Sequence, residues 1–350
     1  MKDIHNETYQ DIRDIVEGSH RIVIIQADNP DGDSLGTSLA LEHIIGDLSK
    51  EPSLYCAVDM PQYLRYLEGW DRVSDEMPRD FDAAIIVDTS TPTLLEKLTE
   101  QGHDQKLRSK PTIVLDHHQS VEQAIVYADI IVNDPSKSST GELLYAIAHS
   151  NNWPISQSAA EHIMTAILGD TQGLSNDLAS PSTYRVMAAL IELGARRPEL
   201  EEKRRKYGKM PEVIFRYKAQ LIERTQLDLE GKLAFVVLSQ DEINQYSPLY
   251  NPAPLIQNDM LQVHGVGVAV VLKQYADGKI TGAIRANNEY PHAASIATAL
   301  GGGGHLYAAG FKVSGTKTID EVLAIITTTL EQALIMQDDD NEKDRNGEAV

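Results

Sequence analysis

Residues 21–34 read RIVIIQADNPDGDS. The aliphatic run from Arg21 to Ala27 breaks into a turn built from Asn29, Pro30 and Gly32, and positions 35–48 then carry apolar residues at three-to-four spacing, the period of a helix. An unbroken aliphatic run without polar alternation is the signature of a strand buried on both faces of a parallel sheet. The rhythm recurs along the chain. Strand-like runs lie at 54–58, 83–87, 112–115 and 130–132, and helix-patterned segments at 141–150, 157–168 and 182–194, the last opened by Ser180-Pro181-Ser182. Strands alternating with helices predict an α/β fold with a parallel sheet.

Aspartates gather at the C-terminal ends of these runs: Asp28, Asp31, Asp33, Asp88, Asp116 and Asp134. In open α/β sheets ligands bind outside the carboxyl ends of the strands, so these side chains are expected to converge on one crevice, although aspartate also favours turns for its own reasons. Asp31 and Asp33 stand two apart across Gly32, so both carboxylates can reach one cation; the same Asn-Pro-Asp-Gly run serves equally as a turn followed by a helix N-cap. Asp116-His117-His118 ends the run at 112–115. Adjacent imidazoles point different ways, so one can bind metal while the other faces substrate, and a mixed Asp and His set suits manganese, iron, cobalt or zinc better than calcium. Asp88 in IIVDTS and Asp170 in ILGDTQGLSN bring the set to enough ligands for two adjacent divalent ions, with a carboxylate bridging them.

After Gly194 the chain turns highly charged, ARRPELEEKRRKYGKM and onward, and reads as a solvated helical connector. A second unit follows, with strand-like runs at 233–238, 266–272 and 280–284, the last two joined through Asp277-Gly278, a hairpin turn signal. Gly301-Gly302-Gly303-Gly304-His305 and Arg285 form its candidate anion site: glycine backbone N–H groups approach an anion closely, and a guanidinium adds charge. A tight structural turn explains the glycines as well. No Gly-Lys-Ser/Thr follows, so this is not a Walker loop. A final helix is expected from about Ile319 to Leu334, and the acidic stretch beyond it is expected to be disordered.

The 350 residues include 31 Lys and Arg against 52 Asp and Glu, a formal charge of −21, which excludes a basic surface for gripping long duplex DNA. Cys56 stands alone, so no internal disulfide exists, and the start MKDIHNETYQ carries no apolar core of a secretory signal. No apolar run approaches the roughly 20 residues that span a bilayer. A cytoplasmic protein is expected.

Taken together, NPDGDSLG, IIVDTS, VLDHHQS, ILGDTQGLSN with SPSTYRVMAALIELGA, and GGGGHLYAAGF resemble, in order, the motifs of the DHH phosphoesterase family and its associated C-terminal domain, across roughly residues 15 to 335. The likeness is strongest to the short two-domain members that act as nanoRNases (oligoribonucleases) and as phosphatases of 3′-phosphoadenosine 5′-phosphate. It implies a parallel-sheet DHH domain over 1–195, a helical linker over 196–226, a smaller α/β domain with a mixed sheet over 227–335 and an acidic disordered tail over 336–350. It implies two divalent ions, manganese before magnesium or cobalt: Asp31 and Asp88 on one, and Asp33, Asp88, His117 and Asp170 on the other. It places His118 on the scissile phosphate, and Arg285 with Gly303, Gly304 and His305 on the terminal phosphate of a short RNA or nucleotide. A homodimer is implied as well. The chain departs from the family at Ala27, where the first motif usually opens with a metal-binding histidine; Gln26 and Asp28 each offer an oxygen, and strand alternation sends neighbouring side chains to opposite faces. The expected activity is hydrolysis of short 5′-phosphorylated oligoribonucleotides. The alternatives are a phosphodiesterase of linear or cyclic dinucleotide messengers such as pApA, and a nucleotide-binding sensor weakened at Ala27.

Overall fold

The computed structural model of the chain describes residues 4–118, 124–247, 249–304, 306–315 and 317–347. Two compact units divide it, residues 1–209 and 210–350.

In the first unit five strands, β1 (Arg21–Ile25), β2 (Glu51–Tyr55), β3 (Ala83–Val87), β4 (Thr112–Asp116) and β5 (Ile130–Asn133), form one parallel sheet in the order β2-β1-β3-β4-β5. The aliphatic runs are continuous because both faces are covered. Ile22 and Ile24 pack into one core with α1 (Ile4–Gly18), α2 (Gly32–Asp47), α5 (Thr140–Ser150), α6 (Gln157–Asp170) and α7 (Pro181–Glu192), while Val23 and Ile25 enter a second core with the short helices α3 (Glu96–Glu100) and α4 (Asp104–Leu107). Each such fully buried aliphatic side chain contributes about 1.5–3 kcal/mol relative to exposure. β2 begins at Glu51, three residues before the expected run, because the ladder with β1 pairs Arg21 with Glu51 and recruits polar edge residues that hydropathy passes over. Ser139, Ser156 and Ser180 cap α5, α6 and α7 through side-chain oxygens, so these helices begin close to where the sequence places them. Gly36 lets α2 lie close on α6: a Cβ there would meet the His162 carbonyl at 2.8 Å.

The second unit is a six-stranded mixed sheet in the order β10-β11-β9-β8-β7-β6, built from β6 (Gln226–Asp228), β7 (Leu233–Leu238), β8 (Val268–Gln274), β9 (Ile280–Ala286), β10 (Gly303–Gly304) and β11 (Ala308–Val313). Only β7 and β8 run parallel. The turn at Asp277-Gly278 joins β8 to β9 as expected, with Gly278 at φ 81°. The α12 (Ala293–Ala299) and α13 (Ile319–Gly347) helices cover one face, and α9 (Glu212–Glu223), α10 (Gln240–Tyr246) and α11 (Pro252–Leu261) the other.

The expected boundaries differ in two places. The connector at 196–226 is two helices that divide between the units: α8 (Arg197–Tyr207) has no buried residue, whereas α9 sends Ile214, Tyr217 and Leu221 into the second unit's core. Their spacing of three and four is helical, and the surrounding charge obscures it. The segment read as a disordered tail from 336 continues α13 to Gly347 instead, since no proline or glycine interrupts 336–346. Among the described residues no helix is long and apolar enough to cross a membrane.

Candidate metal centre

The C-terminal edge of the parallel sheet, together with the facing ends of α2, α5 and α6, carries the charged cluster. Asp31 is the N-cap of α2: its Oδ1 accepts from the N–H groups of Asp33 and Ser34, each at 3.0 Å, and Ser34 Oγ returns a bond from the Asp31 N–H. The turn reading and the ligand reading of this motif are therefore compatible, one oxygen serving the helix. Asp33, fully buried in the first turn, is held from three sides. Its Oδ1 accepts from Thr37 Oγ1 and the Gly141 N–H, both at 3.0 Å, and its Oδ2 from the Thr140 N–H at 2.7 Å. The N-terminus of α5 thus points its unsatisfied donors at this carboxylate.

Asp88 directly follows β3 in the left-handed region, φ 60°, anchored by its N–H to the Leu115 carbonyl at 2.8 Å and by Thr140 Oγ1 donating to Oδ1 at 3.2 Å. A non-glycine residue held there costs on the order of 1–3 kcal/mol, and such outliers gather at functional sites. Asp170, the last residue of α6, reaches the same place: its Oδ2 lies 2.9 Å from His117 Nε2. His117 Nε2 is also 3.5 Å from Asp33 Oδ2 and 3.9 Å from Asp88 Oδ1, so this buried nitrogen is paired with Asp170 and faces two further carboxylates. With Nδ1–H donating to the Lys137 carbonyl at 3.3 Å, Nε2 is the atom turned toward the three carboxylates, and it can ligate a cation once its own proton leaves. The residues fit a bound cation: a buried imidazole nitrogen ringed by three carboxylates is a ligand set. Asp33, His117 and Asp170 form one group whose ligating atoms lie within 4.8 Å of one another, and Asp88, His117 and His118 form another.

Electrostatics agree with the geometry. Burial, and then the charges of Asp33, Asp31 and Asp170, hold Asp88 well above the ordinary carboxylate range. Burial and the Asp33 charge push Asp170 up to about 7. Burial works against a charge on His117, but the Asp170 and Asp33 carboxylates outweigh it and raise the imidazole to about 9. Protons stand in this cluster where positive charge is wanted, and a divalent ion displaces them.

Asp116 does a different job. Although it sits among the strand-end aspartates, its Oδ1 accepts from the N–H groups of His117 and His118 and from His118 Nδ1 at 2.7 Å, while Ser90 Oγ donates to Oδ2 at 2.5 Å. It orients His118 and keeps that ring's basicity up. Two other strand-end aspartates stand apart. Asp28 accepts the Lys97 N–H at 2.9 Å at the start of α3, and Asp134 accepts from Ser136 N–H and Oγ, so for Asp134 the turn reading holds. Ser90 closes the IIVDTS motif without being picked out there, and Thr140 lies outside the motifs; the run Ser138-Ser139-Thr140-Gly141-Glu142 at a helix start is the available signal for Thr140.

Arg285 and the pair Gly303 and Gly304 lie near one edge of the second unit's sheet, with β11 between them. Arg285, exposed near the end of β9, pairs with Ala308 of β11, and the next residue, Ala309, pairs with Gly304 of β10. Among the described residues Arg285 makes no ion pair. Gly304, at φ 141°, has no room for a Cβ, which would lie 2.6 Å from the Ala308 carbonyl; Gly303 faces open space. His305 lies outside the described residues.

An α/β protein whose strand-end crevice gathers buried carboxylates around an imidazole is the class of a metal-site protein built on a parallel sheet. Residues 21–167 match the N-terminal domain of the DHH family and residues 253–332 match the DHHA1 domain, so the chain belongs to the DHH family and carries its associated C-terminal domain. It is 27% identical over 289 residues to a protein of Thermus thermophilus named bifunctional oligoribonuclease and PAP phosphatase NrnA, covering 82% of each chain. It is 24% identical to a cyclic-di-AMP phosphodiesterase GdpP of Geobacillus thermodenitrificans, covering 87% of this chain and 46% of that longer one. Its fold superposes with a TM-score of 0.82, at 21% identity and over 96% and 99% of the two chains, on an exopolyphosphatase-related protein from Bacteroides fragilis.

Proposed function

We propose that the protein is a divalent-metal-dependent phosphoesterase that hydrolyses short 5′-phosphorylated oligoribonucleotides to mononucleotides and accepts 3′-phosphoadenosine 5′-phosphate as a second substrate class. The observation that carries the reading is the ring of Asp33, Asp88 and Asp170 around the buried His117 Nε2. Asp31 and Asp88 would hold one ion, and Asp33, Asp88, His117 and Asp170 the other. Two such ions, of which manganese suits the mixed Asp and His set best, supply charge neutralisation at the phosphoryl group and a more acidic water. The protein's own part is positional. The α5 terminus fixes both oxygens of Asp33, Thr140 fixes Asp88, and Asp116 holds His118 in one orientation to meet a scissile phosphate oxygen. In the second unit Arg285 and the open backbone at Gly303 offer a site for a terminal phosphate. Small substrates agree with the charge of −21, since a dinucleotide presents few phosphates whereas a long strand needs an extended basic groove. The similarity to the phosphodiesterase GdpP supports a second reading, a cleaver of dinucleotide messengers.

Turnover on 5′-phosphorylated RNA di- and trinucleotides, pApA, a cyclic dinucleotide and 3′-phosphoadenosine 5′-phosphate, compared as kcat/KM at one manganese concentration, tests the choice. The RNA di- and trinucleotides should lead irrespective of sequence; a lead of tenfold or more by pApA or the cyclic dinucleotide over the other RNA dinucleotides would select the second reading.

A further inference from the structure

Gln26 is 1% exposed, and neither Oε1 nor Nε2 of its carboxamide has a hydrogen-bond partner. Native folds rarely leave a fully buried amide unpaired, and each such group calls for an explanation. Its position supplies one. The Gln26 N–H continues the β1 ladder to the Tyr55 carbonyl at 3.0 Å, so strand alternation carries on by one residue. Ile22 and Ile24 lie in the core shared with α2, α5 and α6, and Val23 and Ile25 in the opposite one, which assigns Gln26 to the face of the helices whose ends carry Asp33, Thr140 and Asp170. Since Ile25 pairs with Ile86, Gln26 stands beside Val87, the residue before Asp88. Its neighbours offer no equivalent. Ala27 has no donor atom, and although Asp28 also keeps a buried oxygen without a partner, Oδ1, its carboxylate is tied through Oδ2 to the Lys97 N–H at α3, which packs into the opposite core.

On the two-ion reading above, we propose that Gln26 is a metal-site residue: its amide oxygen completes the shell of the ion held by Asp31 and Asp88. A carboxamide oxygen is an accepted ligand for a hard divalent ion. Being neutral, it adds no further negative charge to a cluster of carboxylates that already repel one another.

Manganese bound per chain, measured by equilibrium dialysis with elemental analysis and by the spin-coupled signal of a manganese pair, tests this on the full chain. Wild type should bind two ions. Gln26→Leu and Gln26→Met, apolar replacements of similar volume, should bind one at the same free manganese, the second step weakening at least about tenfold. Two variants are used so that a folding failure in one leaves the other as the test; melting in chelator should be unchanged or higher, because an unpaired buried amide has been removed. Two ions with unchanged affinity in a folded variant would overturn the role of Gln26 while leaving the two-ion reading standing. A single ion in wild type would overturn both.

Discussion

The crevice of the first unit and the sheet edge of the second differ in how they hold charge. In the first, carboxylates are buried, strained or clamped by backbone donors and forced together against their own repulsion; in the second, one exposed guanidinium stands beside a hairpin whose Gly303 opens to solvent. Crowding of like charge is costly in the absence of a cation and is useful only with one. An exposed cation costs little and gains its value from an anion. Chemistry is therefore expected to reside in the first region and affinity in the second, and that division can be broken.

The sharpest break is Asp88→Asn. Asparagine tolerates the left-handed backbone at φ 60° and removes the charge that Asp33, Asp31 and Asp170 oppose. Turnover should fall on the order of 10³-fold or more, while thermal melting in chelator rises; retention of most activity would remove Asp88 from the metal site. Arg285→Ala should act on the other side of the comparison. KM for a 5′-phosphorylated dinucleotide should rise about tenfold to a hundredfold, the range expected for a lost charge-assisted hydrogen bond, with kcat little changed. A kcat loss at constant KM would place Arg285 in the chemical step.

A third effect is pH-dependent. Asp88 and Asp170, the latter at about 7, and His117, at about 9, are all raised, so these three groups hold more protons in the folded protein in chelator than in the unfolded chain between about pH 4 and 9. Their contribution to stability is present at low pH and is lost as pH rises through those values. Melting temperature in chelator should fall from pH 7 to pH 8.5, above the range in which the buried neutral His162 acts in the opposite sense, and added manganese should restore more of it at the higher pH, since binding displaces protons. A flat profile would mean the carboxylates are not coupled. The smallest effect separates two adjacent glycines: Gly303→Ala should leave melting unchanged and raise KM a few-fold, whereas Gly304→Ala should destabilise, because its Cβ has no space.

Much of the crevice is legible in the sequence, because strand-end placement depends only on where aliphatic runs stop, and Asp31, Asp33, Asp88 and His117 each follow such a stop, while Asp170 ends a helix-patterned segment. What stays hidden are roles fixed by long-range contact. Nothing local marks Asp116 as the partner of Ser90, 26 residues away, or Thr140 as the donor to Asp88, 52 residues away. Likewise α1 is not among the expected helices, although Tyr9, Ile12 and Val16 recur at helical spacing, because its other positions are mostly charged or polar. Asp28 and Asp134 resemble the candidate ligands in sequence and differ only in which donors the fold brings them.

Whether the strand-end cluster is a metal-dependent phosphoesterase centre decides the rest. The most direct measurement is hydrolysis of a 5′-phosphorylated RNA dinucleotide by metal-stripped protein, with manganese, magnesium, cobalt or zinc returned in turn. Release of mononucleotides that requires a divalent ion, is fastest with manganese and is absent in Asp88→Asn is the predicted result; equal hydrolysis in chelator, or none with any ion on this or the other nucleotide substrates, would contradict it.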